Sequence, residues 1–441
     1  MNDLLEHIPI AILGAGVAGL CAARRIEAAN PGMCVVFERG NKVGGMGSSF
    51  TLGDCTFDIG IHGLYTKDPQ VLGDFHAAVA GQDHEIRPSI MDIWQDRIVP
   101  HPVQSHLYGL PQPIALNCVI DFIEAQRSSA PTDEAPDYRT WCLKHLGRSL
   151  SEVLVFPYIR KFWTVGPEEL IADLGPRTRV PTVQEILRGA LIPSPQDVDN
   201  VSSIRYPTSG GFGAYARGFA KGVPVRTKKC VTAIDAASRR LSFEDGSTVS
   251  YGALISTIPL PTLIRLLAGT PEAVASSCSL LRATSLALVS FVLRKPSRLE
   301  CHWAYSYDPD CVFSRITLPS RWAENNGRGG TGSVQAEVYY RGSSPTREHL
   351  EMSVRRDLRR VGIIGSDDEI AASDVRWFQY ANVIYDHNRS AALKTIAAYL
   401  KKVGIRVAGR YGLWDHSLVD EVKRNAEAVA DAVVGEIAPR R

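Results

Sequence analysis

Between residues 8 and 37 the hydrophobic rhythm of the chain changes twice. Ile8 to Leu13 is a continuous apolar run, short enough for a buried strand. A glycine-rich turn, an alanine-rich stretch and a second apolar run, Cys34 to Phe37, follow it. That succession predicts strand, turn, helix and strand. Further on, "SLALVSFVLRK" and "GSVQAEVYYRG" are alternating or continuous β-runs. Paired short runs around Asp245-Gly246 have the pattern of a hairpin. "SPTREHLEMSVRRDLRRVG" has a helix pattern, with Ser344 or Thr346 as its N-cap and Gly362 as its stop. "CVIDFIEAQRSS" and "YRTWCLKHLGRSLSEVLVFPYIRKFW" read as helices, and "PSRWAENNGRGGTGS" as a mobile loop near a site.

The first turn carries chemistry. Gly14, Gly16 and Gly19 form a GxGxxG pattern, and Glu38 follows Gly19 by 19 residues at the end of the second strand. Gly14 permits the tight turn, Gly16 lets backbone approach a pyrophosphate, and Gly19 lets helix and strand pack closely. A carboxylate at position 38 suits ribose hydroxyls and argues against a 2′-phosphate. Alone the glycines are a weak signal; with both strands, the helix and the acid they specify a dinucleotide site.

Composition narrows the class. A chain of 441 residues is too long for one simple core, so two or three domains are expected. With 45% hydrophobic and 22% charged residues and a net charge of +2, nothing calls for nucleic acid or an acidic membrane as partner. The nine cysteines include no CxxC pair, which fits reduced thiols in a cytoplasmic protein and no metal site. The amino-terminal residues lack the apolar core of a signal peptide. Pro259 and Pro261 interrupt the most apolar later stretch, so no membrane insertion is expected.

"ERGNKVGGMGSSF", with Gly45 and Met46 in a second glycine loop, resembles the continuation found in flavoproteins of the glutathione-reductase-like and amine-oxidase-like group, which makes FAD the expected cofactor. Several later segments resemble one branch, the UDP-galactopyranose mutase and protoporphyrinogen-oxidase-like group. They are "FDIGIHGLY" (57–65), "WQDRIVPHPVQSHLYGLP" (94–111) with His101 where tyrosine is usual, "FPYIRKFWTVGPEEL" (156–170), "YPTSGGFGAYARGFAKG" (206–222) and the closing "GIRVAGRYGLWDHSLVDEV". The match runs in order along the whole chain.

The resemblance implies an α/β fold: a Rossmann-type FAD-binding domain (1–104, 205–265 and 395–441), an inserted helical domain (105–204) and an antiparallel-sheet substrate domain (266–394). It also implies that Gly60 and His62 lie beside the flavin, Val231 passes the adenine, Arg410 approaches the flavin and Asp420 starts the last helix. His62 is a catalytic candidate, its imidazole able to respond to the flavin's redox state, with a half-buried histidine bonded to a carbonyl as the alternative. Tyr158 and Trp163 become candidates to stack on a base or sugar, with core packing as the alternative. Asp58 reads as structural.

Two arginines hold the diphosphate leaving group in the mutases. Their counterparts by local spacing are Arg177, seven residues after Leu170 and with Arg179 as a competitor two positions on, and Arg315; ion pairs at the surface or between domains are the alternative for both. The phenols that assist them are replaced here by Asn382 and His416, which implies a changed specificity. The expected activity is therefore a small-molecule reaction at the flavin face, on a nucleotide sugar or related anion. Removal of hydride from a C–N or C–C bond is the alternative.

Overall fold

The apolar run at the start of the chain is buried because it lies inside a sheet. The structure, a computed structural model, describes residues 5–95, 97–128, 135–173, 180–193, 203–327, 330–366 and 369–437. Strand Glu6–Leu13 pairs in parallel with Cys34–Phe37 on one side and Thr248–Ser256 on the other. Val225–Arg226 and Ile405–Val407 extend the parallel pairing outward, and Arg240–Phe243 and Val231–Asp235 add antiparallel strands. The hairpin expected around Asp245-Gly246 is present, with Leu241 opposite Val249. Helix Val17–Ala29 covers this sheet and packs against the last helix, Val419–Ile437. Buried Ala22, Ala23, Ala426 and Ala430 let the two approach closely.

A second sheet runs in the order Ile370–Phe378, Ser285–Leu293, Gly332–Tyr340, Arg315–Thr317, Trp303–Ser306, Ile90–Trp94, Arg97–Pro100. All its pairs are antiparallel except that of Trp303–Ser306 with Ile90–Trp94. The last two strands correct the sequence reading, which counted everything up to 104 with the nucleotide-binding part. Their partner strand lies some two hundred residues downstream, so no local pattern could assign them.

Period-two alternation gives this sheet two different faces. Val289, Phe291, Ala304, Ile316, Val334, Ala336 and Val338 form a dry core with Leu350, Val354 and Leu358 of helix Arg347–Arg360. Thr346 is the N-cap of that helix, its hydroxyl accepting from the His349 amide, and Gly362 follows at φ +73°. The other face is polar and aromatic and looks toward the first sheet.

A helical layer (Gln112–Ser128, Tyr138–Leu146, Phe156–Phe162, Val183–Leu191) closes one side around Cys118, Phe122, Leu154, Phe156 and Ile186. Lys161 pins it to the second sheet, its ammonium donating to the Ser306 carbonyl (3.2 Å), Ser306 Oγ (3.0 Å) and the Asp308 carbonyl (2.8 Å). Burial lowers its pKa to about 8. The segment 319–333, expected to be mobile, is anchored where it is described: Asn326 Nδ2 donates to Tyr206 Oη and the Pro319 carbonyl, both at 3.1 Å. No described helix is long and apolar enough to cross a membrane.

A Cβ at position 19 would fall 1.9 Å from the Gly14 carbonyl oxygen, which cannot yield without opening the first turn. Gly19→Ala is expected to cost roughly 1–3 kcal/mol as overpacking and to lower FAD retention, read together by thermal unfolding and flavin absorbance. Unchanged stability and a full flavin complement would refute this account of the turn.

Candidate active site

The glycine turn presents bare backbone. Gly14 holds φ +96°, and a Cβ there would lie 2.7 Å from Thr257 Oγ1. Gly16 and Gly44 pair as an isolated parallel bridge, with the Gly44 amide donating to the Ala15 carbonyl at 2.7 Å. A Cβ on Gly45 would meet Gly16 Cα at 3.1 Å, so the second glycine loop rests on the first. Gly16 caps helix Val17–Ala29 without a side-chain hydrogen bond, and no acid occupies the first turn. Its amide donors therefore face the loop with no protein carboxylate to satisfy them, as an anion-binding helix start requires. Glu38 braces the cradle, Oε2 accepting from the Ala15 amide (2.9 Å) and Oε1 from the Gly40 amide (2.7 Å). A carboxylate keeps further lone pairs after two such bonds. These features fit a dinucleotide.

Other expected cofactor residues lie on several further elements. Met46 is half-buried in the turn Gly45–Gly47, and Val231 begins its strand. Arg410 belongs to the short turn Gly409–Gly412, which meets helix Val17–Ala29: a Cβ on Gly409 would lie 2.6 Å from Ala18 Cβ. Asp420 is buried in the first turn of the last helix, with Oδ2 accepting from Arg424 at 3.1 Å and Oδ1 without a donor.

"FDIGIHGLY" crosses from one sheet to the other. Asp58 accepts from Ser49 Oγ (2.6 Å), Tyr206 Oη (2.7 Å) and the Phe212 amide (2.9 Å), a structural role. Burial raises its pKa to about 6 against those three donors. At Gly60 (φ +76°) a Cβ would lie 3.3 Å from Glu337 Oε1, and the next amide, Ile61, donates to that oxygen at 3.2 Å. His62 lies half-buried against Phe212 (ring centroids 5.2 Å apart), with Nδ1 3.4 Å from the Gly60 carbonyl. Burial lowers its pKa to about 4, opposed by the Gly60 carbonyl and Glu337 and assisted by Arg315 and Arg410. The imidazole is neutral at neutral pH.

The polar face of the second sheet supplies the opposite wall. Register places Asp92, Tyr305, Arg315 and Glu337 side by side across four strands. Arg315 Nη2 donates to both oxygens of the fully buried Glu337, at 2.8 and 2.7 Å, and Tyr339 Oη donates to the same carboxylate at 2.6 Å. The guanidinium lies 5.8 Å from the Tyr305 ring centre, and its Nε is buried with no acceptor. At the far end of the row His101 Nδ1 meets both oxygens of buried Asp92, at 2.9 and 3.1 Å.

Aromatic residues of the helical layer complete the enclosure. Tyr158 stacks on Tyr307 and Phe162 (5.0 and 5.4 Å) and meets Tyr305 edge-on at 5.9 Å. Trp163 is buried, edge-on to His416 at 4.8 Å. His416 Nδ1 accepts from Arg410 Nη2 (2.8 Å), because arginine only donates, which leaves Nε2–H to donate to the Val383 carbonyl (3.0 Å). Asn382 is buried, its Nδ2 donating to the Phe162 carbonyl at 3.4 Å. His62, Arg315, Arg410, Trp163, Tyr158, Asn382 and His416 thus converge; Arg177 lies outside the described residues. Glu337 and Tyr339 escaped the sequence reading, although "SVQAEVYY" alternates polar and apolar positions and so marks a face.

The family described as "Flavin containing amine oxidoreductase" matches residues 17–434. Among solved structures, a reduced UDP-galactopyranose mutase superposes with a TM-score of 0.90 at 20% identity, covering 98% of this chain and 96% of that one. A putative protoporphyrinogen oxidase from Exiguobacterium sp. gives 0.75 at 16% identity, covering 98% and 99%. Putrescine oxidase bound to putrescine gives 0.67 at 14%, covering 97% and 99%.

The neutral state of His62 has a measurable consequence. Its folded pKa of about 4 lies below its ordinary value, so the unfolded chain takes up the proton first as pH falls. Its contribution to stability is complete above about pH 6.5 and is lost toward pH 4, at about 1.4 kcal/mol per unit. Unfolding midpoints of His62→Asn should therefore fall less steeply than wild type between pH 6.5 and 4.5. Parallel curves would contradict the assignment.

Proposed function

The chain belongs to the flavin-containing amine oxidoreductases, and on that premise we propose that it is an FAD enzyme of mutase-like architecture with altered specificity. Its substrate is an anionic small molecule, a nucleotide sugar or a relative of one, held at the flavin face. Bound FAD supplies a two-electron couple and, when reduced, a nucleophilic N5. The residues assigned to hold it are Gly14, Gly16, Gly19 and Gly45 at the pyrophosphate, Glu38 at the ribose and Val231 at the adenine. Met46, Gly60, His62, Arg410 and Asp420 are assigned to the flavin side.

The observation that carries the substrate reading is Arg315. One guanidinium nitrogen, Nη2, is fixed by Glu337, while Nε is buried without an acceptor. A buried donor left unmade costs about 1–3 kcal/mol, and an oxygen of a bound phosphate or carboxylate would remove that cost. Tyr158 and Trp163 offer rings on which a sugar or base can lie. His62, neutral and bound to backbone, orients the segment under the ring rather than carrying a proton. Asn382 and His416 already spend polar atoms on Phe162, Val383 and Arg410, so they shape the wall more than they donate to a ligand.

One observation favours the second reading, oxidation at a C–N or C–C bond. Arg315 is matched by Glu337 before any ligand arrives, which suits an uncharged or cationic substrate among aromatic rings.

Dithionite-reduced, FAD-loaded protein under anaerobic conditions is expected to perturb its flavin spectrum on addition of UDP-galactopyranose and to form the furanose. Arg315→Lys keeps the charge but loses the planar fork, and should lower kcat/KM at least about tenfold. Oxygen-dependent turnover of an amine such as putrescine, with no response to nucleotide sugars, would replace this reading with the second.

A further inference from the structure

Tyr339 joins more of the candidate site than its place in the sequence suggests. It lies two residues beyond Glu337 on strand Gly332–Tyr340, and so on the same face as Glu337 and Arg315. Its hydroxyl donates to Glu337 Oε2 at 2.6 Å, and the Asn382 side chain lies near enough to favour the ionised phenol against burial. Its ring stands edge-on to Phe162 at 5.1 Å. Asn382 is fixed in turn, its amide donating to Thr284 Oγ1 at 3.0 Å. One phenol therefore stands between Asn382 and the carboxylate that orients Arg315. Burial and the neighbouring Glu337 raise its pKa well above the ordinary value, so it remains a donor throughout the physiological range.

We propose that Tyr339 is a positioning and specificity-determining residue of this site: its hydroxyl holds Glu337, and through it the Arg315 fork, and completes with Asn382 the wall that receives an anionic group. The inference rests on the reading of Arg315 given above. It also accounts for Asn382 at a position where the mutase pattern has tyrosine, because a phenol approaches Asn382 from strand Gly332–Tyr340. At the second replaced position the backbone amide of His416 donates to Tyr385 Oη at 3.0 Å, so a tyrosine lies against that residue too.

Inorganic pyrophosphate is the probe, titrated calorimetrically into FAD-loaded protein, so that failure of nucleotide-sugar turnover is decided separately. Tyr339→Phe is expected to weaken pyrophosphate binding about tenfold while leaving FAD content and circular dichroism unchanged. Moving the phenol, in Tyr339→Ser with Asn382→Tyr, should restore affinity to within threefold of wild type, whereas Tyr339→Ser alone should not. A tyrosine of purely structural value would lower the unfolding midpoint without moving the dissociation constant. The proposal is overturned if wild type binds no pyrophosphate, if Tyr339→Phe stays within twofold of it, or if the exchanged pair binds no better than Tyr339→Ser. Should Tyr339→Phe fail to fold, the exchanged pair decides alone.

Discussion

The buried pair of Glu337 and Arg315 is the constraint on which the rest of the site depends. A carboxylate that is 1% exposed is stable only if its charge is met, because the desolvation penalty is several kcal/mol per ion. Here three groups meet it: the Arg315 guanidinium, the Tyr339 hydroxyl and the Ile61 amide. The first two come from the second sheet; the third comes from the segment that leaves the nucleotide-binding half. The same carboxylate therefore ties the segment around Gly60 and Ile61 to the second sheet. Gly60 is bare where it passes, at φ +76°, which lets the chain approach that closely.

Each wall answers a different physical demand. The nucleotide side needs open backbone donors, and it has them in a helix start without a side-chain cap. The sheet side needs one polar face and one dry face from the same strands, which period-two alternation provides. The helical layer supplies rings and is held by Lys161, whose three oxygen acceptors replace water for a buried ammonium. The enclosure is aromatic and holds one arginine whose Nε has no acceptor.

What was legible in the sequence follows from how local each signal was. The strand-turn-helix start could be read from thirty residues, because glycine spacing and hydrophobic rhythm are short-range properties. Helix Arg347–Arg360 declared its stop at Gly362 and narrowed its cap to Ser344 or Thr346, of which Thr346 is the cap, for the same reason. The partnership of Ile90–Trp94 with Trp303–Ser306 could not be read, since pairing across two hundred residues leaves no periodic trace. Arg315 was placed by resemblance, but its partner Glu337 lies in a strand whose sequence reads only as a β-run. An acid inside a β-run with Gln335 and Tyr339 at alternate positions was the available signal. His62 was legible as a position and not as a charge state, because burial against Phe212 decides the latter.

A double-mutant cycle on Arg315 and Glu337, read by chemical unfolding of the FAD-loaded protein, tests the central claim most directly. Arg315→Met and Glu337→Gln should each cost about 3–5 kcal/mol by leaving a buried charge or fork unmatched. The double variant should cost clearly less than their sum, with a coupling of about 1–3 kcal/mol. Costs that simply add would mean the two side chains do not share one interaction, and would contradict the frame built around them.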